Sequence, residues 1–236
     1  MGNCCAADQD HADIKVNGPS AVGAGHSAMP TPQPDDNIQK YTNDTVSQLT
    51  KQLGKFDPGA FPDDNVRKES RGEIVELEHN AYYQGEWSSA DNQRHGTGVQ
   101  VWSDGSLYEG HWANDKANGR GRLIHATGDY YEGDWQDDQA HGNGVYKFAD
   151  GAKYEGQWEN DDKHGLGEEV WPDGARYKGE YKAGMKHGHG EFFWQDGSVY
   201  KGSFQDNHID GQGEYKWADG RCYVGGWAQN KMHGDG

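Results

Sequence analysis

The chain has 236 residues and a formal charge of −17 at pH 7, and Leu, Ile, Val and Phe together supply only 28 positions. Such figures describe a disordered chain, but 9 Trp, 13 Tyr and 36 Gly do not, since each ring can bury roughly 150–250 Å² in a core. Residues 73–236 hold 15 basic and 29 acidic side chains, which excludes a general nucleic-acid binder and argues against adhesion of that region to anionic lipid through bulk charge.

Cys4, Cys5 and Cys222 make no disulfide framework and point to a reducing compartment. No secretory leader and no apolar run of about 18 residues is present, so nothing in the sequence spans a membrane.

In chain order, residues 1–36 are small, polar and dotted with Pro30, Pro32 and Pro34, which reads as a disordered tail. Its opening, Met1–Gly2–Asn3–Cys4–Cys5, resembles a lipidation signal, with Gly2 as myristoylation site and Cys4 and Cys5 as palmitoylation sites. Ala6 departs from the usual Ser or Thr of that signal. Two lipids are expected because one myristoyl chain gives only marginal binding, K about 10⁴ M⁻¹. Asp8, Asp10 and Asp13 oppose a polybasic second anchor.

Residues 36–53 are predicted to be helical, with Asp36 as cap, Gly54 as stop, and Ile38, Tyr41, Val46, Leu49 and Leu53 on one face. The expected role is to cover the edge of the first strand; a partner-binding helix is the alternative. Residues 54–72 form a linker into a first strand near Glu73–Glu78. The domains expected are therefore a tail at 1–36, a helix and linker at 37–72, and a repeat array at 73–236.

The repeats begin with Tyr83–Gly85–Trp87. Then follow Tyr108–Gly110–Trp112, Tyr131–Gly133–Trp135, Tyr154–Gly156–Trp158, Tyr177–Gly179–Tyr181, Tyr200–Gly202–Phe204 and Tyr223–Gly225–Trp227. From Tyr108 to Tyr223 every step is 23 residues. A Gly–x–Gly follows each run, as at Gly165 and Gly167. Beyond it the alternation continues through residues such as Glu169 and Trp171, Phe192 and Trp194, or Tyr215 and Trp217. Period-two alternation with one ring-bearing face predicts half-buried strands. Turn dipeptides such as Asp104–Gly105, Asp173–Gly174 and Asp196–Gly197 then predict hairpins.

The fold expected is all-β: an elongated, single-layer antiparallel ribbon of hairpins in which glycines leave room for rings. Gly165 and Gly167 are both expected on the ring face, beside Tyr154, Trp158 and Tyr177. Five histidines, His95, His141, His164, His187 and His233, share one repeat position. Equivalent positions two strands apart stand roughly 9–10 Å from each other, too far to share a zinc. A structural role at the turn is expected instead. No nucleophile motif, phosphate-binding loop or dinucleotide fingerprint is present, and no cofactor is expected.

Tyr–x–Gly–x–Trp, His–Gly–x–Gly and Asp–Gly at this spacing resemble the MORN repeat family over residues 83–236, with the seventh repeat incomplete. Asn118 and Asp210 stand where the family favours His, Thr127 replaces the turn Asp, and Tyr181 and Phe204 replace Trp. The resemblance implies a non-catalytic scaffold for protein partners, a second copy of the chain among them. It also implies a place at the cell cortex, a membrane junction or an inner membrane complex. A ciliary or basal-body component similar to radial-spoke head proteins, and a phospholipid-binding module, are the alternatives. Some relatives carry these repeats beside a lipid-kinase or methyltransferase domain; no stretch here is long enough to be one.

Overall fold

The computed structural model describes residues 37–62 and 64–234. The chain divides into two compact units between His141 and Gly142, each a set of sequential antiparallel hairpins.

In the first unit, a short 3₁₀ turn at Ile38–Tyr41 precedes helix α1, Asp44–Leu53. The helix starts later than the sequence suggests. Asn43 is the cap, its side chain accepting from the Val46 amide at 2.8 Å, and Gly54 closes the helix. The strands that follow are β1 (Lys68–Ser70), β2 (Val75–Glu76), β3 (Tyr82–Ser88), β4 (Arg94–Val101), β5 (Leu107–Ala113), β6 (Lys116–Ile124) and β7 (Tyr130–Gln136). Strand β1 thus falls inside the predicted linker, while β2 lies in the predicted first strand. Both pair with the outer edge of β3, Glu69 opposite Trp87 and Val75 opposite Tyr83.

These short strands, not α1, close the sheet edge. The helix lies on a sheet face instead, where Ile38 and Val46 are buried with Val101, Leu107 and Ile124, and Tyr41, Leu49 and Leu53 pack around them. The apolar residues foreseen in the sequence are the ones used, in a different place.

Strand β8 (Gln139–Lys147) runs across the division. The second unit continues with β9 (Lys153–Glu159), β10 (Asp162–Val170), β11 (Arg176–Lys182), β12 (Met185–Phe193), β13 (Val199–Gln205), β14 (His208–Lys216), β15 (Cys222–Ala228) and the three-residue β16 (Lys231–His233). Neighbours in sequence are neighbours in the sheet.

Two kinds of turn alternate. At the Asp–Gly turns the glycine amide bonds back three residues, Gly105 to the Trp102 carbonyl at 2.9 Å, with Gly105 at φ +88°. Gly128 does the same after Thr127, which explains why Asp is dispensable there. At the other end, two-residue turns have both residues at positive φ, such as Asn114–Asp115 at +52° and +65° and Asp206–Asn207 at +49° and +69°. Asn and Asp bear that conformation at least cost among residues with side chains.

Candidate functional site: the two faces of the repeat sheet

Each repeat tyrosine folds back along its own strand and donates from its hydroxyl to the carbonyl three residues on. Tyr108 reaches His111 at 2.9 Å, Tyr154 reaches Gln157 at 2.9 Å, and Tyr177 reaches Glu180 at 3.0 Å. The ring thereby covers the glycine two residues ahead and a second glycine on the next strand. A Cβ built on Gly156 would stand 2.5 Å from the Gly167 Cα, and one on Gly110 would stand 2.5 Å from the Gly121 Cα. Backbone cannot yield as a flexible side chain can. Tyr83, Tyr108, Tyr131, Tyr154, Tyr177 and Tyr200 are fully buried as a result, and burial pushes the Tyr200 hydroxyl up to about 12.

The third residue of the motif meets that ring edge-on. Tyr108 stands 5.0 Å from Trp112 and 5.3 Å from Trp135, Tyr131 stands 5.1 Å from Trp135, and Tyr154 stands 5.0 Å from Trp158, all near perpendicular. Tyr181 and Phe204 hold the same geometry against Tyr177, at 5.2 and 5.0 Å, so the departures from Trp keep the contact. Edge-to-face pairs of this kind contribute roughly 0.5–1.5 kcal/mol each beyond area.

Gly167 sits under Tyr154 as expected. Gly165 does not. It has φ +57° in an irregularity of the β9–β10 register between His164 and Gly167. A Cβ there would run into the Gln157 side chain, away from the rings. The first glycine of the pair is the left-handed residue of a β-bulge. An acceptor on the preceding strand caps the amide just beyond it: Gln157 for Leu166 at 2.8 Å, Glu86 for Thr97 at 2.7 Å and Glu180 for His189 at 2.9 Å.

The shared histidine position supplies a turn acceptor at His95 and at its replacements Asn118 and Asp210, whereas the buried Nδ1 atoms of His141 and His187 have no hydrogen bond among the described residues. His95 Nδ1 accepts from the Asn114 amide at 3.4 Å, Asn118 from Asp137 at 3.1 Å, and Asp210 from Gln229 at 3.2 Å. Asn118 and Asp210 thus supply the oxygen that replaces the ring nitrogen. The second turn residue adds a bond to the neighbouring repeat, as when Asn207 accepts from the Lys186 amide at 2.8 Å and returns its own amide to the Lys186 carbonyl at 3.0 Å. Among the described residues no group of three or more His, Cys, Asp or Glu could hold a metal ion.

Charges enter the ring face sparingly. Lys163 and Glu169, both buried, pair at 2.5 Å, and Tyr181 donates to Glu169 at 2.9 Å. Burial pulls the Lys163 ammonium down; it also opposes the Glu169 charge, but the Lys163 charge prevails and holds the carboxyl low. Arg94 lies over Trp112 at 4.3 Å and pairs with Asp115 at 3.1 Å. Sequence spacing alone did not single these out. The signal available was a switch to charge at positions held by Ala117 and Leu123, or Ala140 and Tyr146, in sister repeats.

Above the tyrosines of the second unit runs a tier of half-buried rings. Centroids are 5.5 Å apart for Trp171–Phe192, 4.5 Å for Phe192–Trp194, 5.1 Å for Trp194–Tyr215 and 4.8 Å for Tyr215–Trp217. The opposite face of the first unit is the one under α1. Beyond the helix, Phe61 packs 5.1 Å from His111 and 5.5 Å from His95, whose Nε2 pairs with Asp64. The corresponding face of the second unit carries ion pairs, Arg176 with Glu168 at 3.4 Å and Lys201 with Glu191 at 3.0 Å.

Gly2, Cys4 and Cys5 lie outside the described residues, as does Gly236. No helix among the described residues is long and apolar enough to cross a membrane.

No curated protein matches the chain. Solved structures with some likeness include the TCP domain of SAS-4 (dCPAP) from Drosophila melanogaster, in complex with a proline-rich motif of Ana2 (16% identity, 71% of this chain and 83% of that one, TM-score 0.37). The CPAP G-box domain is another (15% identity, 65% and 97%, TM-score 0.31). The MORN repeat model matches residues 83–107, 108–130, 131–153, 154–176, 177–199, 200–220 and 223–236, which is more than half of the sequence, and by those seven matches the chain belongs to the MORN repeat family.

Proposed function

We propose that this protein is a non-catalytic scaffold, held at the cytosolic face of a membrane by acyl groups on Gly2 and on Cys4 or Cys5, whose repeats engage protein partners. MORN repeats are in general protein- and membrane-associated scaffold modules. The observation that carries the reading is the tier of half-buried rings from Trp171 to Trp217. Aromatic surface left partly open beside a fully packed tyrosine layer suits contact with another polypeptide. The acidic balance of residues 73–236 disfavours lipid headgroups as the ligand of the repeats themselves, which leaves attachment to the N-terminal acyl groups.

Fractionation of cells expressing wild type, Gly2→Ala and the Cys4→Ser/Cys5→Ser double variant tests this. Wild type should sediment with membranes and both variants should shift to the soluble fraction. A soluble wild type overturns the tether and favours a ciliary scaffold whose contacts are wholly between proteins.

A further inference from the structure

The Trp–x–Asp–Gly turns of the second unit repeat one arrangement, at Trp171–Asp173, Trp194–Asp196 and Trp217–Asp219. Each carboxylate is fixed by its own turn. Oδ1 accepts from the amide two residues on, Ala175 to Asp173 at 2.9 Å, Ser198 to Asp196 at 2.8 Å and Arg221 to Asp219 at 3.1 Å. At the third turn the chain fills the site itself. The Arg221 guanidinium lies over Trp217 at 5.2 Å and its Nε donates to Asp219 Oδ2 at 2.8 Å.

Ala175 and Ser198 occupy the place of Arg221 in the two preceding repeats and bring no cation. Trp171 has Lys186 above it at 5.1 Å, while among the described residues no Lys or Arg lies over Trp194. Asp173 and Asp196 are exposed and make no ion pair among the described residues.

We infer that the Trp171–Trp217 tier binds an arginine-bearing extended segment of a partner protein, one guanidinium stacking on Trp194 against Asp196 and a second pairing with Asp173. This names the partner class for the scaffold reading and rests on it. Arg221 shows within the same fold that ring and carboxylate can hold a guanidinium together, by stacking and a charge-assisted bond. The charge is complementary, since residues 73–236 hold 29 acidic against 15 basic side chains and attract a basic partner at long range.

Spacing sets the partner's register. Equivalent turns stand two strands apart, about 9.6 Å. A polyproline II segment advances about 9.3 Å in three residues and returns to the same side. The pattern that fits is Arg–x–x–Arg in a proline-containing stretch.

The test is a titration of the full-length, unacylated protein into labelled peptides, followed by fluorescence anisotropy. The probes are a blocked Pro/Ala peptide with arginines at i and i+3, the same peptide with arginines at i and i+2, and one with glutamates at i and i+3. The i, i+3 arginine peptide should bind best and weaken with salt. The Asp173→Asn/Asp196→Asn variant, which keeps the amide acceptor of each turn, should bind it about tenfold less tightly; Trp194→Leu should weaken it as well. Failure of the i, i+3 arginine peptide to bind, unchanged binding by the Asn variant, or preference for the glutamate peptide through Lys186 would each overturn the proposal. Because the protein is unacylated, these outcomes are independent of whether Gly2 and the cysteines tether it.

Discussion

Tyr154 lies across Gly167 so closely that a Cβ on the glycine would stand 2.6 Å from the ring Cε2. The glycine has no left-handed φ, so its requirement is space and not backbone freedom. Gly167→Val raises intrinsic strand propensity yet must displace a buried tyrosine, at about 1–3 kcal/mol. Leu166→Thr, whose side chain is 66% exposed, should change stability far less. Urea melts of the two variants separate packing from propensity, and a Gly167→Val protein as stable as wild type would mean that the glycines are not there to make room for the rings.

The two-residue turns bind successive repeats together through one side-chain oxygen. Asn207→Gly keeps the positive φ but removes the acceptor for the Lys186 amide, so a loss of about 1 kcal/mol is expected. Asn207→Ala loses the same bond and adds left-handed strain, and should cost more, by roughly 1–2 kcal/mol. Gly184, at φ +79° in the turn of the preceding repeat, is the natural precedent for the milder change. Equal melting of the two variants would argue against the strain component.

The Lys163–Glu169 pair is a charged insertion in an otherwise apolar register. Lys163→Ala leaves the buried Glu169 with the Tyr181 hydroxyl and the more distant Lys186 charge, and breaking such a pair costs roughly 3–5 kcal/mol. The double change Lys163→Ala/Glu169→Leu copies Ala117 and Leu123 of the second repeat and should recover most of that loss. Chemical denaturation of the single and double variants decides it; a double variant no better than the single would contradict the equivalence of the repeats.

Two histidines of the first unit make its stability fall in mild acid. Burial lowers the pKa of both His111 and His125 from 6.5, so the unfolded chain binds protons first as pH drops. Stability conferred by the neutral rings is therefore present above about 6.5 and is lost progressively below it. His125→Phe, which copies Phe148 of the next repeat, should reduce the drop in melting temperature between pH 7 and pH 5. An unchanged pH profile in that variant would remove His125 from the account.

The ring face was legible because its cause is local: Tyr154, Gly156 and Trp158 are two residues apart on one strand, so period two finds them. Gly165 departs from that alternation for the opposite reason. A positive φ leaves no mark in a Gly–x–Gly spacing, and the irregularity turns Gly165 aside while Lys163, two residues earlier, is back on the ring face opposite Trp158. The site of α1 was hidden in the other register. Leu107 and Tyr130 are aromatic or apolar where Lys153 and Arg176 stand two repeats later, and Ile124 is apolar where Lys147 stands one repeat later; only that comparison between repeats reveals that part of the second face is covered. In sequence the Trp–Asp turns signal hairpins alone, since the guanidinium that pairs with such a turn occurs once, at Arg221.

In the proposed arrangement acyl groups attach this protein to a membrane while its repeats face proteins. Vesicle sedimentation of the same full-length chain, with and without its N-terminal acyl groups, tests both halves together. The acylated chain should sediment with neutral and with phosphoinositide-containing vesicles alike, and the unacylated chain should stay in the supernatant at physiological salt. Sedimentation of the unacylated chain only with phosphoinositide vesicles would contradict the account, because the repeats would then be the membrane-binding element.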